Sequence, residues 1–290
     1  MKEYDKYLKL LKEKYPTKQS VYRELINLNA IMNLPKGTEH FMSDLHGEYD
    51  AFYHIINNCS GVIREKVAML YGDELTVYEQ QELCTLIYYP REKLSILMDE
   101  NKVNDEWYRN VLNQLIQIAK LLSSKYTRSK VRKAMPVDFA YIIDELIHAQ
   151  KDEDDNRSVY HRQIMETILS LHNGDEFLVA LTDLIKRLAV DHLHILGDIY
   201  DRGAHADKIL DLLMEHHSVD IQWGNHDILW MGAFCGNPVC MALVVRNNIK
   251  YKTMSILENG YGISLRFLLQ ICREVLQPPP GSSSGSDPEE

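Results

Sequence analysis

Apolar residues recur every three or four positions over most of the chain, which is the spacing of an amphipathic helix. Residues 4–34 are predicted to form two helices, which Pro16 separates and Pro35 ends. Residues 51–187 have the same helical character almost throughout. The clearest stretch has an apolar stripe formed by Trp107, Val111, Leu115, Ile118 and Leu122. We expect this stripe to pack in a hydrophobic core.

Three short apolar runs have the pattern of strands rather than helices. They cover residues 39–43, 190–196 and 219–223, and each ends beside Gly, Asp or Asn. Between the second and third runs, residues 206–216 have helical spacing, so the order there is strand, loop, helix, strand. This order predicts a βαβ unit and therefore an α/β fold. Residues 229–276 are again predicted to be largely helical.

Composition narrows the class of protein. The 290 residues are 45% hydrophobic and 26% charged, with a formal net charge of −10, and this balance excludes a wholly disordered chain. No apolar run is long enough to span a membrane, and the N-terminus lacks the apolar segment of a signal peptide. The acidic balance argues against a broad nucleic-acid-binding surface. We expect a cytoplasmic protein that binds neither nucleic acid nor membrane, and a homo-oligomer is left open.

The five cysteines are scattered and include no CxxC pair, so we expect reduced, mostly buried thiols. A zinc site at Cys235 and Cys240 is disfavoured, because further ligands are lacking nearby. Residues 277–290 contain four of the nine prolines and are predicted to form a disordered tail. The charged run at residues 151–156 is predicted to be a solvated loop.

Candidate chemistry lies where the three strand runs end. The segments are residues 43–47 (SDLHG), 197–203 (GDIYDRG) and 224–227 (GNHD). In α/β sheets, ligands bind at the carboxyl ends of the strands, where neighbouring loops converge. The glycines permit sharp turns that bring the backbone close to an ion or a phosphate. We therefore expect Asp, His and Asn side chains to meet at one edge of the sheet.

These residue types indicate a two-metal phosphoesterase site. Carboxylate, imidazole and amide oxygen together suit Mn²⁺, Fe²⁺ or Zn²⁺, and one carboxylate can bridge two such ions. The planar guanidinium of Arg202 matches phosphate oxygens. A histidine beside the ions can protonate a leaving oxygen, and a carboxylate can orient that histidine. Hydrolysis of a phosphate ester needs these parts.

The same segments resemble the calcineurin-like metallophosphoesterase superfamily. Residues 1–276 are similar to the class 3 fructose-1,6-bisphosphatases of bacteria. The stretches that carry this similarity are MNLPKGTEHFMSDLHGEYDAF (32–52), INNCSGVIREK (56–66), HILGDIYDRG (194–203), IQWGNHDILWMGA (221–233) and ENGYGISLR (258–266). The resemblance implies an α/β calcineurin-like metallophosphoesterase sandwich core, here partial, with a large helical insertion at about residues 51–187. It also implies manganese-dependent hydrolysis of fructose 1,6-bisphosphate, a sugar bisphosphate, in gluconeogenesis.

The resemblance also implies a role for each site residue. Four would be metal ligands: Asp44 and His46 of the first ion, Asp198 as the bridge between both ions, and Asn225 of the second ion. Three would act on the substrate: His226 as the proton donor to the leaving alkoxide, Asp201 as the partner that orients it, and Arg202 as the group that holds the scissile phosphate.

The sequence departs from the superfamily after the GNHD segment. Two further histidines complete the superfamily's site, but no histidine follows His226 in this chain, and the family is considerably longer. We therefore expect an N-terminal fragment or a truncated gene product. Two alternatives stay open: a phosphatase of the same superfamily that acts on another phosphoester, and an inactive fragment that serves as a binding module.

Other polar residues have expected roles outside this set. His192 and His194 share one strand face and are expected to be buried structural histidines. Asp227 is expected to support the ligands from behind. A basic cluster is interpreted as a solvated helix face, with a site for an anionic effector or partner as the alternative: Lys125, Arg128, Lys130, Arg132 and Lys133.

Overall fold

The computed structural model describes residues 2–149 and 155–275. Helices α1 (Lys2–Lys14) and α2 (Lys18–Ile31) lie on either side of Pro16, as predicted. The side chain of Thr17 accepts a hydrogen bond from the backbone N–H of Ser20 and thereby caps the second helix. Residues 151–154 of the charged run and the whole of 277–290 lie outside the described residues.

A small sheet supplies the β part of this α/β fold. Its strands are β1 (Glu39–Met42), β2 (His192–Ile195) and β3 (Val219–Ile221), in the spatial order β1-β2-β3. The sheet is parallel, and its pairing continues at the strand ends, where the backbone N–H of Leu196 donates to Met42 O (2.7 Å) and that of Gln222 to Ile195 O (2.8 Å). All three strands fall inside the runs predicted from sequence.

Helices occupy most of the remaining chain. In the described part of the chain, nine α-helices lie between β1 and β2: α3 (Tyr49–Asn58), α4 (Val62–Tyr71), α5 (Val77–Tyr88), α6 (Pro90–Asp99), α7 (Asp105–Ser123), α8 (Arg128–Ala134), α9 (Ala140–Ile147), α10 (Asp155–Ser170) and α11 (Gly174–Ala189). The others are α12 (Ala206–Glu215), between β2 and β3, and then α13 (Asn225–Phe234), α14 (Pro238–Lys250) and α15 (Arg266–Val275). None of the described helices is both long and apolar enough to cross a membrane.

The chain divides into two compact units. The first contains Met1–His40 and His54–Leu193, and the second contains Phe41–Tyr53 and His194–Glu290. The first unit is built on a hydrophobic core of α4–α11. In α7 the predicted stripe is buried at Val111, Leu115, Ile118 and Leu122, whereas Trp107 packs against the core half-buried. The sequence pattern therefore predicted the packing face of this helix.

Two predictions about burial were wrong. Of the five cysteines, which are all free thiols, Cys59 and Cys84 are buried, Cys235 is exposed, and Cys240 and Cys272 are half-buried. His192 and His194 are also half-buried rather than buried.

The partial exposure of His194 has a physical reason. Its Nδ1 lies 2.8 Å from an oxygen of the exposed Asp220, and its ring stacks on Phe41 at 4.4 Å between centroids. On the opposite face of β2, Leu193 and Ile195 are 1% and 0% exposed, so this strand buries one face and leaves the face of His194 partly covered.

Candidate active site

The loops that follow β1 and β2 are tied together by backbone hydrogen bonds. The N–H groups of Asp44, His46 and Gly47 donate to the carbonyls of Gly197 (3.2 Å), Asp198 (2.8 Å) and Ile199 (2.8 Å), respectively. The two predicted segments therefore run side by side beyond the strands. A Cβ atom on Gly203 would overlap the backbone of His46 and Gly47, so this contact requires glycine.

Three of the predicted metal ligands have a left-handed backbone. The φ angles are +55° at Asp44, +48° at His46 and +53° at Asp198. Residues other than glycine adopt this region rarely, although Asp and His tolerate it better than most. Such conformations are held by the surrounding structure and cluster at functional sites. No sequence pattern had indicated them.

The third segment begins a helix rather than a loop. We had expected GNHD to lie in a loop, but α13 begins at Asn225, so Asn225 and His226 occupy its first turn. The cause is Asp227, whose Oδ2 accepts the N–H of Gly224 at 2.8 Å and closes that turn. A carboxylate at this position is a common helix-start device, because it satisfies an N–H that the helix leaves unpaired.

The same Asp227 joins the second and third segments. Its Oδ1 accepts the backbone N–H groups of Ile199 (2.9 Å) and Tyr200 (3.1 Å), and the residue is 1% exposed. A buried carboxylate with three N–H donors fixes the two backbone segments relative to each other. The expected supporting role for Asp227 thus has a specific geometry.

Asp201 lies at the centre of the predicted catalytic residues. Its side chain is 3% exposed, with Oδ1 3.4 Å from Nδ1 of His226 and Oδ2 3.7 Å from Nδ1 of His46. The Nε–H of Arg202 donates to Oδ2 at 3.1 Å. The structure therefore brings together the predicted proton donor, its orienting partner and a predicted metal ligand. The contact with His46 had not been predicted.

The donor set fits a divalent metal ion. His46 directs Nε2 toward Oδ1 of Asp44 at 3.6 Å, a separation that suits two ligands of one ion. Among the described residues, Nδ1 of His46 and Oδ1 of Asp201 are buried without a hydrogen-bond partner. A ligand histidine commonly directs its second nitrogen at a carboxylate, as His46 does toward Asp201.

The two ligands predicted for the second ion are placed differently. Oδ1 of Asp198 accepts the N–H of His226 at 3.4 Å, and a Cβ on Gly224 would overlap this carboxylate. Asn225 is exposed at the start of α13. The carboxylate of Asp198 therefore lies beside the third segment, whereas Asn225 is an exposed residue.

Arg202 is available to an anion. Its side chain is 66% exposed, and its guanidinium carbon lies 5.9 Å from the ring centre of Tyr251. Among the described residues, Asp201 is its ion-pair partner. A cation over an aromatic ring is held in place without losing its hydrogen-bond donors. Tyr251 had no signal in the sequence that marked it as a site neighbour.

An aromatic group supports the loop that carries Asp198 and Asp201. Tyr200 stacks on Trp230 at 4.4 Å between ring centres, and its hydroxyl hydrogen-bonds that of Tyr261. Burial raises the pKa of both tyrosines above the usual range. Tyr261 belongs to the ENGYGISLR stretch, which this contact connects to the site loop.

Comparison with known proteins identifies relatives of the chain. The family model described as Firmicute fructose-1,6-bisphosphatase matches residues 6–283. The chain is 54% identical over 275 residues to "Fructose-1,6-bisphosphatase class 3 1" of Clostridium beijerinckii, covering 91% of this chain and 41% of that protein. It is also 54% identical over 275 residues to "Fructose-1,6-bisphosphatase class 3" of Listeria monocytogenes serotype 4b, covering 95% and 42%.

A third relative gives the same picture. The class 3 enzyme of Clostridium acetobutylicum is 54% identical over 260 residues, covering 90% of this chain and 39% of that protein. The chain thus spans about two fifths of the length of the curated relatives that it matches. No solved structure matches it significantly. The extent of the family match nevertheless decides the relationship: the chain belongs to the Firmicute fructose-1,6-bisphosphatase family.

Proposed function

We propose that this chain hydrolyses fructose 1,6-bisphosphate to fructose 6-phosphate and phosphate. The observation that carries the proposal is the arrangement around Asp201, whose carboxylate lies against His226, His46 and Arg202. In this proposal His226 would be a proton donor, Arg202 would bind the phosphate and His46 would bind a metal ion, and their shared contact with Asp201 supports that assignment. The names of the relatives supply the substrate.

Four residues would hold two divalent ions in this proposal, which we take to be Mn²⁺: Asp44, His46, Asp198 and Asn225. When bound, such ions supply an activated water and stabilise charge on the phosphoryl oxygens. Asp201 would hold His46 with Nε2 directed toward Asp44. Asp227 would hold the segments of Asp198 and Asn225 at a fixed separation.

The remaining residues would act on the substrate. Arg202 presents its exposed guanidinium to the phosphate, with its direction set by Asp201 and Tyr251. Asp201 faces Nδ1 of His226, so Nε2 of that ring is the atom that gives a proton to the departing sugar oxygen. General acid catalysis of this kind contributes about 10²–10⁴-fold to a rate.

We also infer the architecture that surrounds this site. The small parallel sheet, with functional loops at its carboxyl ends, supports a calcineurin-like metallophosphoesterase core. Residues 51–187, which lie between the first and second site segments, would then be a helical insertion within one catalytic region of residues 1–276.

The decisive test is manganese-dependent release of phosphate from fructose 1,6-bisphosphate by this chain. We expect release that Asp198→Asn abolishes and that Asp211→Asn, which changes an exposed carboxylate of α12, leaves intact. A phosphorylated peptide should be a poor substrate. Faster release from the peptide would assign another substrate. The absence of release from a folded sample with bound manganese would show that the proposal is wrong for this chain.

A further inference from the structure

The first unit contains a groove between α8 and α9. It has a volume of about 710 Å³, and its polar lining comes from Arg128, Ser129, Arg132 and Lys133 on one side and from Tyr141 and Asp144 on the other. We call it the α8–α9 groove. Its volume is within the range of small-molecule sites. None of these residues belongs to the proposed active site.

Helical spacing explains why α8 presents its cations to the groove. Arg128 and Arg132 are four residues apart, as are Ser129 and Lys133, so the two pairs form adjacent rows on one helix face. Val131, which is 3% exposed, anchors the helix in the core. Lys130 points elsewhere and pairs with Asp191. The basic cluster is therefore split, and only part of it lines the groove.

The positive charge of the groove is not neutralised. Asp144 is its one acidic lining residue, and its oxygens lie 3.8 Å from Nε of Arg132 and 3.4 Å from Nδ1 of His148. Among the described residues, neither Arg128 nor Lys133 takes part in an ion pair. The groove is therefore locally positive, although the formal net charge of the whole chain is −10. Unpaired cations that converge on a concave surface favour an anionic ligand.

The other wall of the groove suits an organic group. The Tyr141 ring is 70% exposed, and its hydroxyl lies 3.3 Å from that of Tyr160, which restricts its orientation. Arginine guanidinium groups match phosphate oxygens in pairs. We propose that the α8–α9 groove binds a small phosphorylated molecule with at least two negative charges, at a site separate from the active site.

Binding of inorganic pyrophosphate to the metal-free chain tests this proposal by isothermal titration calorimetry. The Arg128→Gln/Lys133→Gln variant should bind it about tenfold or more weakly, because two charge-assisted contacts are lost. Lys9→Gln/Lys12→Gln is the matched control, since it removes the same charge from exposed positions of α1 and should bind as the wild type does. Circular dichroism of each variant verifies its fold.

The Arg202→Gln variant separates this site from the proposed active site. If pyrophosphate binds in the α8–α9 groove, the Arg202→Gln variant should bind it as tightly as the wild type does. Loss of binding in Arg202→Gln but not in Arg128→Gln/Lys133→Gln would place the anion at the active site and overturn the proposal. Absence of binding by the wild type at millimolar pyrophosphate would leave the cluster as a solvated helix face. An equal loss of pyrophosphate affinity in Lys9→Gln/Lys12→Gln would attribute the effect to net charge alone and contradict the proposal.

Discussion

The two units of the molecule use buried groups for different purposes. The first unit buries aliphatic and aromatic side chains across α4–α11, and its Arg91–Glu176 ion pair lies at the surface. The second unit buries the carboxylates of Asp201 and Asp227, and three of the metal ligands predicted there have left-handed φ angles. Apolar burial stabilises a fold without direction, whereas hydrogen bonds to buried carboxylates fix positions. The apolar core that stabilises the fold thus lies in the first unit, whereas the buried carboxylates that fix the candidate site residues lie in the second.

The largest expected effect concerns the core of the first unit. Leu115 is fully buried in α7, so Leu115→Ala should lower the free energy of unfolding by about 3–5 kcal/mol through lost burial and a residual cavity. Urea denaturation measures this change. Leu171→Ala, at a position that is 70% exposed, should change it by less than about 0.5 kcal/mol. Similar losses in the two variants would mean that α7 does not anchor the core.

The second prediction concerns the carboxylate that organises the second unit. In Asp227→Asn, one side-chain oxygen becomes an NH₂ group that faces a backbone N–H, either at Gly224 or at Ile199 and Tyr200. The loss should be about 2 kcal/mol in the free energy of unfolding. Manganese binding, measured by calorimetry, should weaken as well, because the segments of Asp198 and Asn225 separate.

Asp211→Asn is the control for this carboxylate, since Asp211 is exposed on α12 of the same unit. It should alter neither quantity. If Asp227→Asn loses stability but keeps its manganese affinity, Asp227 has a purely structural role. Its burial would then serve stability, as apolar burial does in the first unit.

Two glycines with similar φ angles sharpen the comparison. Gly61 in the first unit has φ +88° and open space where a Cβ would lie, whereas Gly197 in the second has φ +93° and a Cβ there would overlap the backbone of Gly224. Gly61→Ala should cost about 1 kcal/mol from the left-handed conformation alone. Gly197→Ala adds a steric overlap worth about 1–3 kcal/mol. Thermal or urea unfolding measures the loss of stability in each variant. Equal losses would contradict the close approach of Gly197 to Gly224.

The smallest effect is a difference in thiol reactivity. Burial raises the pKa of Cys59 in the first unit to about 12, so its reactive thiolate is scarce at neutral pH. Cys235 in the second unit is exposed and should react first with iodoacetamide, as mass spectrometry of the native protein can show. Unfolding in urea should equalise the two rates. Rapid alkylation of Cys59 in the native protein would contradict its burial.

The sequence predicted the elements better than it predicted the site. Helical spacing located the stripe of α7, and short apolar runs located all three strands. These signals are local, because burial of one face repeats along the chain. The convergence of the three site segments was expected from the rule for parallel sheets. Their roles as metal ligands and catalytic groups remain predictions.

What the sequence could not show depends on contacts between distant residues. Asp201 and His46 lie close together although they are 155 residues apart in the sequence. The hydrogen bond from the Ile199 N–H to Asp227 depends on a helix that begins at Asn225, whereas the apolar spacing predicted a helix only from residue 229. Exposure of Cys235 and half-burial of His194 were missed for a related reason. Residue type predicts average burial, but the number of neighbouring elements decides it at each position.

The left-handed φ angles at Asp44, His46 and Asp198 also limit which amino acids these positions accept. In the proposed site, each residue must combine the chemistry of a metal ligand with a backbone conformation that few side chains tolerate. Substitution separates the demands: asparagine keeps the tolerance and removes the charge, whereas glutamate keeps the charge and loses much of the tolerance. For an engineer who wishes to design a metal preference into the proposed site, the backbone conformation therefore narrows the choice of residue before any metal is considered.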